Sequence, residues 1–287
     1  MTISQAGKQL SVELNRIYNE REAVRITNMV MEKITGFTNT ERLINKQALL
    51  TAAQQDQLQA FEEQLLQHKP VQYVLHEAWF AGLKLYVDEN VLIPRPETEE
   101  LVEAIAVDIG TSPQKALSLI DIGTGSGCIA ISLKKKLPDI QVYTMEISDK
   151  ALEVAQRNAT ANDADIRFLH ADILQRKQHK NFPPFDIIVS NPPYIKETEA
   201  SEMAANVLLY EPHQALFVPD DDALLFYRAI AEFGLQNLRH GNGKIFVEIN
   251  ETLGEEVSTM FNQKGFSAVK IRKDMQRKER IVSAVLK

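Results

Sequence analysis

A tetrad of residues with strong acceptor chemistry, Asn191-Pro192-Pro193-Tyr194, follows Ser190 and the apolar run at 185–189. Because the two prolines hold the backbone extended and carry no N–H, their carbonyls and the Asn191 side-chain oxygen present hydrogen-bond acceptors. Tyr194 adds a flat aromatic face. At the carboxyl end of a parallel strand, such a cluster favours binding of a planar –NH2 group, as in a carboxamide or an amino-nucleobase, over a plain proline-rich turn.

A second candidate site is a glycine-rich segment at the point where a predicted strand meets a predicted helix. It reads Asp121-Ile122-Gly123-Thr124-Gly125-Ser126-Gly127. Glycines let a backbone approach a ligand closely, and a helix N-terminus offers unpaired N–H groups. Gly125, Gly127 and Ala130 also loosely satisfy the pattern of dinucleotide folds, so the glycines alone leave a dinucleotide site and a ligand-free tight turn open.

An acidic residue follows at a spacing that nucleotide-binding folds use. Glu146 ends the next predicted strand, 19 residues after Gly127. A carboxylate there can accept hydrogen bonds from both ribose hydroxyls, which suits NAD and S-adenosylmethionine equally. A strand-end glutamate by itself is usually only solvated, so this interpretation depends on the preceding glycine loop.

Other kinds of chemistry are disfavoured. The six histidines show no HxxxH spacing, and the single cysteine, Cys128, can form neither an intramolecular disulfide nor a cysteine-based zinc site, so no metal site is expected. Cys128 begins a predicted helix, which could lower the pKa of its thiol, but a buried structural thiol is the favoured interpretation. Arg95 and Glu97 could fasten a hairpin to the catalytic domain or contact substrate, and both roles stay open.

The predicted strands and helices that must position these residues alternate along the chain, as in βαβ units. Predicted strands fall at 117–122, 142–145, 166–169, 185–189 and 244–249, and predicted helices at 128–136, 151–161, 224–238 and 251–264. Two further strand-like runs near the end are separated only by a turn, so this last pair is expected to be antiparallel. The pattern predicts an α/β fold with a mostly parallel sheet covered on both faces.

The first part of the chain has a different pattern. Apolar residues at helical spacing, with a capping signal at Asn19, predict an all-helical domain at 1–78. The alternating run at 79–93, with a turn signal at 88–90, predicts a β-hairpin linker. The catalytic domain is then expected at 94–287.

Composition limits the classes of protein that fit. The 287 residues include 32 Lys and Arg against 39 Asp and Glu, a net charge of −7, and 44% hydrophobic residues, which is enough for a sizeable core. Without a secretory signal pattern or a run of 18 apolar residues, a cytoplasmic protein that makes no membrane contact is expected. The acidic balance argues against stable nucleic-acid binding, which needs clustered Lys and Arg. A monomer is expected.

Taken together, the motifs resemble the class I S-adenosylmethionine-dependent methyltransferases that act on planar nitrogen. Three further segments are similar to the HemK family, the release factor glutamine methyltransferases: PVQYVLHEAWF at 70–80, IPRPETE at 93–99 and YEPHQAL at 210–216. The resemblance covers essentially the whole chain. Because NPPY also occurs in adenine-specific DNA methyltransferases, IPRPETE is the more specific of the motifs.

The resemblance implies a Rossmann-like, seven-stranded, mostly parallel sheet and a role for each motif. For the cofactor S-adenosyl-L-methionine, the resemblance implies that its methionine end is bound by Gly123, Thr124, Gly125, Ser126 and Gly127, its ribose by Glu146, and its adenine by Asp172 and Ile173. Asn191 would contact both cofactor and substrate, and the glutamine pocket would be formed by Pro192, Pro193 and Tyr194. The implied catalytic residues are Asn191, Pro192 and Tyr194. The sequence departs from the family pattern at Glu146, where Asp is usual, and at Ile173, where some members have an aromatic residue.

The implied reaction is methyl transfer to the side-chain amide nitrogen (N5) of the glutamine in the GGQ motif of class 1 release factors, with the helical domain holding that protein substrate. A glutamine of a ribosomal protein and N6 of adenine in DNA stay open as alternative acceptors. A DNA-reading domain should be basic, whereas residues 1–78 carry eight basic and nine acidic residues. A third hypothesis is a non-catalytic interaction protein with a relic cofactor pocket.

Overall fold

The computed structural model describes residues 1–110 and 117–287, which form two compact units. The first unit contains Met1–Glu77 together with Ala204–Tyr210, and the second contains Ala78–Met203 and Glu211–Lys287. The short segment Ala204–Tyr210 therefore clusters with the helices of the first unit, although it lies far along the chain from them.

The helices of the described residues follow the predicted pattern closely. They are α1 (Ile3–Leu14), α2 (Glu20–Thr35), α3 (Asn39–Ile44), α4 (Ala52–Leu66), α5 (Val71–Leu75), α6 (Pro96–Gly110), α7 (Cys128–Lys136), α8 (Asp149–Ala161), α9 (Ala205–Tyr210), α10 (Leu225–Asn237) and α11 (Gly254–Gln263). Helix α11 begins three residues later than predicted, because the Asn250 side chain accepts a hydrogen bond from the Thr252 N–H (3.1 Å) and holds a turn there.

The strands are short, and most lie in the second unit's main sheet. They are β1 (Ala78–Phe80), β2 (Leu83–Leu85), β3 (Ser118–Ile122), β4 (Gln141–Glu146), β5 (Ile166–His170), β6 (Ile187–Ser190), β7 (Ile195–Lys196), β8 (Phe217–Val218), β9 (Lys244–Glu248), β10 (Phe266–Lys273) and β11 (Glu279–Leu286). Strand β6 begins two residues later than predicted, since Phe185 forms only an isolated bridge with Leu238.

Side-chain caps and a continuous apolar core account for the helices of the first unit. Asn19 accepts a hydrogen bond from the Glu22 N–H (3.1 Å) at the start of α2, and Thr51 forms a capping box with Gln54 at the start of α4. The residues at helical spacing that face inward, such as Leu10 and Leu65, are fully buried. The all-helical prediction for this part of the chain agrees with these elements.

The predicted hairpin exists, but the predicted position of its turn is wrong. Strands β1 and β2 pair antiparallel, and Ala81 and Gly82 form the two-residue turn, both with positive φ (49° and 77°). Two left-handed residues match the twist of the flanking strands in a tight hairpin. The signal at Asp88 instead marks a turn beyond the hairpin, where the Asp88 carboxylate accepts a hydrogen bond from the Asn90 N–H (3.0 Å).

The main sheet of the second unit confirms the α/β prediction. Its seven strands run in the order β10-β11-β9-β6-β3-β4-β5. Strands β9, β6, β3, β4 and β5 are parallel, and β11 pairs antiparallel with both β9 and β10, as expected for the last pair. Helices and apolar clusters cover both faces of the sheet.

The order of the strands places the sequence motifs at one edge. Strand β3 lies between β4 and β6, so the chain leaves β3 toward one side and later returns to the other. Ligands of open parallel sheets bind beyond the carboxyl ends of the strands at such a switch point. The glycine loop follows β3, Glu146 ends β4 and the NPPY tetrad follows β6, so the fold gathers all three there.

Candidate active site

The glycine loop is shaped by left-handed backbone at alternate residues. Gly123, Gly125 and Gly127 have φ of +73°, +53° and +81°, a region that side-chain-bearing residues adopt only with strain. A Cβ on Gly123 or Gly125 would meet no atom within 4 Å, so open space lies in front of both. A Cβ on Gly127 would lie 3.0 Å from Cδ1 of Ile131 and 3.3 Å from Cβ of Ala155, so Gly127 permits close packing of helices instead.

The polar residues of the loop face inward and hold its shape. Thr124 is buried and donates a hydrogen bond from Oγ1 to Oδ2 of Asp121 (2.7 Å). Complete burial raises the pKa of Asp121 to about 7, although the hydrogen bond from Thr124 opposes that shift. Ser126 is buried as well, and its carbonyl accepts a hydrogen bond from Nδ2 of Asn158 (2.9 Å). These contacts make Thr124 and Ser126 supports of the loop.

A pocket of about 220 Å³ opens at the switch point of the second unit. Residues from seven segments line it: Asn90, Val91, Leu92, Ile122, Gly123, Gly125, Met145, Glu146, Ile147, Ser148, Ala151, Ala171, Asp172, Ile173, Leu174, Ser190, Asn191, Pro192, Pro193, Pro212, Gln214, Ala215, Phe226 and Ile230. The structure thus brings together Gly123, Gly125, Glu146, Asp172, Ile173, Asn191, Pro192 and Pro193 of the sequence-predicted site. Among the described residues, the predicted site residues Thr124, Ser126, Gly127 and Tyr194 lie outside this lining.

Glu146 connects the end of β4 to the glycine loop. Its Oε2 accepts a hydrogen bond from the Gly125 N–H (3.1 Å), and its Oε1 accepts from the Ile147 and Ser148 N–H groups (2.9 and 3.1 Å). The carboxylate is therefore held in place by backbone donors on both sides, with one edge in the pocket.

Two adjacent residues after β5, one polar and one apolar, line the pocket: Asp172 and Ile173. Asp172 accepts a hydrogen bond at Oδ1 from the Leu174 N–H (2.8 Å), which fixes the turn after β5. Ile173 is 9% exposed and packs with the apolar cluster beneath the sheet edge. This pair offers a carboxylate and an aliphatic surface for a ligand that has a polar edge and a flat face.

The NPPY tetrad contains the residues that could contact a substrate amide. Asn191 donates a hydrogen bond from Nδ2 to Oγ1 of Thr98 (3.2 Å) and lines the pocket. Tyr194 donates from its hydroxyl to Oε1 of Glu248 (3.2 Å), and burial raises the pKa of that hydroxyl well above its ordinary value. At pH 7 Tyr194 is therefore a neutral hydrogen-bond donor.

Two residues of this network, Thr98 and Glu248, were missed by sequence reasoning as site residues. Thr98 donates from Oγ1 to Oε2 of Glu248 (2.7 Å), and both side chains are buried. The one available signal was that Glu248 is an acid near the end of a predicted strand, much as Glu146 is. Thr98 lies within IPRPETE, and that motif gives no indication of its partner.

An ion pair joins the two other distinctive motifs. Arg95 of IPRPETE contacts Glu211 of YEPHQAL, with Nη2 2.6 Å from Oε1, and the other oxygen of Glu211 accepts the Ile93 N–H (3.1 Å). Of the two roles left open for Arg95, the structure therefore shows a structural contact. The hairpin itself is fastened by Glu99, whose carboxylate accepts the N–H of Ala81 (2.9 Å).

The remaining reactive side chains that the structure describes show no site of their own. Cys128 is buried, and desolvation raises the pKa of its thiol to about 12, which makes it unreactive at neutral pH. Across residues 1–110 and 117–287, no group of three His, Cys, Asp or Glu side chains is placed to hold a metal ion. No helix in the part of the chain that the structure describes has the length and apolarity needed to cross a membrane.

Fold and site together define a class I methyltransferase: a seven-stranded sheet with an antiparallel pair at one edge, a glycine loop, a strand-end acid and an NPPY tetrad at the switch point. Two family models match the chain, "Methyltransferase small domain" over residues 98–219 and "PrmC N-terminal domain" over residues 5–75. The "Release factor glutamine methyltransferase" of Flavobacterium psychrophilum is 43% identical over 283 residues, covering 98% of each chain. The enzyme of the same name from Bacteroides thetaiotaomicron is 42% identical, covering 94% of this chain and 95% of its own.

The chain belongs to the release factor glutamine methyltransferase family, which confirms the resemblance seen in the sequence. The fold is also similar to the solved structure of the T. thermophilus 16S rRNA N2 G1207 methyltransferase in complex with AdoMet and guanosine. That structure is 20% identical with a TM-score of 0.52, and the match covers 74% of this chain and 50% of the other.

Proposed function

We propose that this methyltransferase modifies the side-chain amide nitrogen (N5) of the glutamine in the GGQ motif of class 1 release factors, with S-adenosyl-L-methionine as the methyl donor. Membership of the family supports the reaction and its protein substrate. The observation that carries the acceptor chemistry is the position of Asn191, which lines the pocket while its Nδ2 donates to Thr98 (3.2 Å). Its Oδ1 is thereby directed away from Thr98 as a hydrogen-bond acceptor.

The pocket fits the proposed cofactor. Gly123 and Gly125 leave open space where a side chain would stand, so a ligand can reach the backbone of the loop. Oε2 of Glu146 accepts one hydrogen bond, from Gly125, and a carboxylate oxygen has capacity for a second from a ribose hydroxyl. Asp172 and Ile173 would hold the adenine. When bound, S-adenosyl-L-methionine supplies an electrophilic methyl group on a sulfonium sulfur.

The protein must then activate a poor nucleophile. The lone pair of an amide nitrogen is delocalised into its carbonyl, so the nitrogen reacts only when it is well oriented and when its developing positive charge is stabilised. Asn191 Oδ1 and the Pro192 carbonyl can accept the two N–H bonds of the glutamine amide and supply both effects. Pro193 and Tyr194 would complete the wall around the side chain. Fixing the nitrogen in line with the methyl group lowers the barrier by several kcal/mol in such reactions. Transfer would break the bond between sulfur and the methyl carbon and leave S-adenosylhomocysteine, and the methylated nitrogen would then release one of its two protons to solvent.

The proposal also assigns roles beyond the pocket. The helical first unit would recognise the release factor, and the enzyme would act in the cytoplasm, where translation terminates. We expect it to work as a monomer that forms no stable complex with nucleic acid. A ribosomal-protein glutamine or adenine N6 in DNA is less well supported as the acceptor, because the relatives at 42–43% identity are release factor enzymes.

The direct test is incubation of the enzyme with a purified class 1 release factor and isotopically labelled cofactor, followed by mass spectrometry of the GGQ peptide. One labelled methyl group on the glutamine is expected. The matched control is a release factor whose GGQ glutamine is replaced by glutamate, which should stay unlabelled. An unlabelled wild-type release factor, or label on DNA or a ribosomal protein in parallel reactions, would reject the proposal.

A further inference from the structure

One buried carboxylate holds two residues of the NPPY tetrad, one directly and one through a threonine. Glu248, the last residue of β9, is 1% exposed. Its Oε1 accepts the Tyr194 hydroxyl (3.2 Å), and its Oε2 accepts the Thr98 hydroxyl (2.7 Å). Thr98 Oγ1 in turn accepts Nδ2 of Asn191 (3.2 Å). The chain of hydrogen bonds therefore runs from the pocket to the interior of the sheet.

The polarity of this chain follows from the chemistry of its inner end. Both oxygens of Glu248 accept hydrogen bonds, and the single hydroxyl hydrogen of Thr98 points at one of them, Oε2. With that hydrogen committed, Oγ1 of Thr98 can only accept from its other neighbour. Asn191 must then present its NH2 group to Thr98 and its oxygen to the pocket. The opposite orientation would place two acceptors, Oγ1 of Thr98 and Oδ1 of Asn191, against each other.

We propose that Thr98 and Glu248 are positioning residues that fix the orientation of the Asn191 amide, so that Oδ1 rather than Nδ2 meets the substrate –NH2 group. The inference rests on the proposed function, because orientation matters only if the acceptor is a group that donates two N–H bonds. A reversed Asn191 would bring Nδ2 against the substrate nitrogen, and two donors would face each other without a shared acceptor.

The surroundings of Glu248 indicate why a purely structural role is a poor explanation. Burial raises the pKa of this carboxyl, while the hydrogen bonds from Thr98 and Tyr194 and the charge of Arg280 oppose the shift. A buried carboxylate costs desolvation energy that an apolar pair of similar volume would not. In this network of hydrogen bonds Glu248 accepts at both of its oxygens, and it thereby sets the direction of the bonds that follow.

The first experiment compares Thr98→Val, which keeps the shape and removes the hydroxyl, with Thr98→Ser, which keeps the hydroxyl. For Thr98→Val we expect kcat for release factor methylation to fall about 100-fold, with cofactor affinity and KM changed by less than about threefold. Thr98→Ser should stay within about threefold of wild type in all three constants. A Thr98→Val enzyme with normal kcat, or a Thr98→Ser enzyme as defective as Thr98→Val, would overturn the inference.

A second variant separates positioning from stability. Thr98→Val leaves Glu248 with an unpaired oxygen, which itself destabilises the fold. The double variant Thr98→Val with Glu248→Gln removes that charge, so its free energy of unfolding should recover while kcat stays about 100-fold low. Recovery of kcat together with stability would show that Thr98 and Glu248 contribute only to folding stability, and would contradict the proposal.

A spectroscopic measurement tests the hydrogen bond without using activity. The side-chain NH2 protons of Asn191, observed by NMR in ¹⁵N-labelled enzyme, should exchange with solvent more slowly in wild type than in Thr98→Val. Equal exchange would contradict the proposed contact. If wild-type enzyme fails to label the release factor, the proposed function fails, whereas normal wild-type labelling with an insensitive Asn191 signal rejects only the positioning role.

Discussion

Arg95 and Glu211 form an ion pair, Nη2 to Oε1 2.6 Å apart, that joins two segments which both continue into the wall of the pocket. Residues 90–92 precede Arg95 and residues 212–215 follow Glu211, and members of both groups line the pocket. The Glu211 side chain is 1% exposed and that of Arg95 32%. The pair therefore connects two pocket-lining segments through a buried carboxylate.

Loss of this ion pair should weaken cofactor binding as well as stability. Arg95→Ala leaves the Glu211 carboxylate buried without its cation, and we expect a loss of about 1–3 kcal/mol in the free energy of unfolding, less than for a fully buried pair because Arg95 is partly exposed. Urea unfolding and calorimetric titration with S-adenosyl-L-methionine measure the two effects. Lys136→Ala, which breaks the exposed pair with Glu103, is the matched control and should change neither. Unchanged cofactor affinity in Arg95→Ala would contradict this role.

A side chain at position 125 should hinder cofactor binding sterically, in addition to straining the backbone. Gly125→Ala strains a left-handed residue and also projects a methyl group into the open space of the pocket. We expect cofactor affinity to fall at least about tenfold, with a stability loss of about 1 kcal/mol. Gly241→Ala is the matched control, because its φ of +90° is also left-handed and its surroundings are open, but it lies outside the pocket lining of the described residues. Equal losses of affinity in the two variants would show that the pocket is not involved.

The parts of the site that could be predicted from the sequence are those formed by short contiguous motifs. Each of three features follows or ends a strand that its apolar pattern predicts: the glycine loop, Glu146 and Asn191. Because parallel strands have their carboxyl ends at the same edge of the sheet, these features are brought together. For that reason the fold class and eight of the 24 pocket-lining residues could be predicted without coordinates.

What the sequence could not predict depends on contacts between distant residues. Thr98 meets Glu248 across 150 positions, and nothing in the local pattern of either residue indicates that pairing. Thr124 lies in the glycine motif but turns inward to Asp121, because its hydroxyl finds a buried acceptor there. The hairpin turn was placed at 88–90, since an Asp-Glu-Asn run is a stronger turn signal by composition than the Ala81-Gly82 pair that forms it.

Replacement of Tyr194 should separate catalysis from cofactor binding. Tyr194 packs against the apolar cluster and donates to Glu248, but it is not among the residues that line the pocket in the described structure. Tyr194→Ala should therefore cut kcat at least about tenfold while cofactor affinity changes by only a few-fold, and Tyr194→Phe, which keeps the ring, should lose less. Comparable losses of kcat and of cofactor affinity in Tyr194→Ala would place this side chain at the cofactor and contradict the assignment.

The buried Asp121 carboxyl predicts a pH dependence of stability. Its pKa rises from 3.8 in the unfolded chain to about 7 in the fold, so the folded state holds the proton more tightly between those values. Asp121 therefore lowers stability increasingly as pH rises through that range, and the cost is complete above about pH 7. Relative to wild type, Asp121→Asn should gain on the order of 2–4 kcal/mol between pH 4 and pH 8.

Urea unfolding at several pH values checks the Asp121 prediction. Asp165→Asn removes an exposed carboxylate and serves as the control against which the pH dependence of Asp121→Asn is compared. A pH-independent difference between Asp121→Asn and wild type would mean that the buried carboxyl ionises as easily in the fold as in the unfolded chain.

The most direct test of the account is a structure of the enzyme with a class 1 release factor and S-adenosylhomocysteine bound. We predict that the nitrogen of the GGQ glutamine lies about 3 Å from both Asn191 Oδ1 and the Pro192 carbonyl oxygen, on the side facing the cofactor sulfur. A complex in which these two oxygens point away from the glutamine, or in which Asn191 offers its NH2 group to the substrate nitrogen, would contradict the central claim.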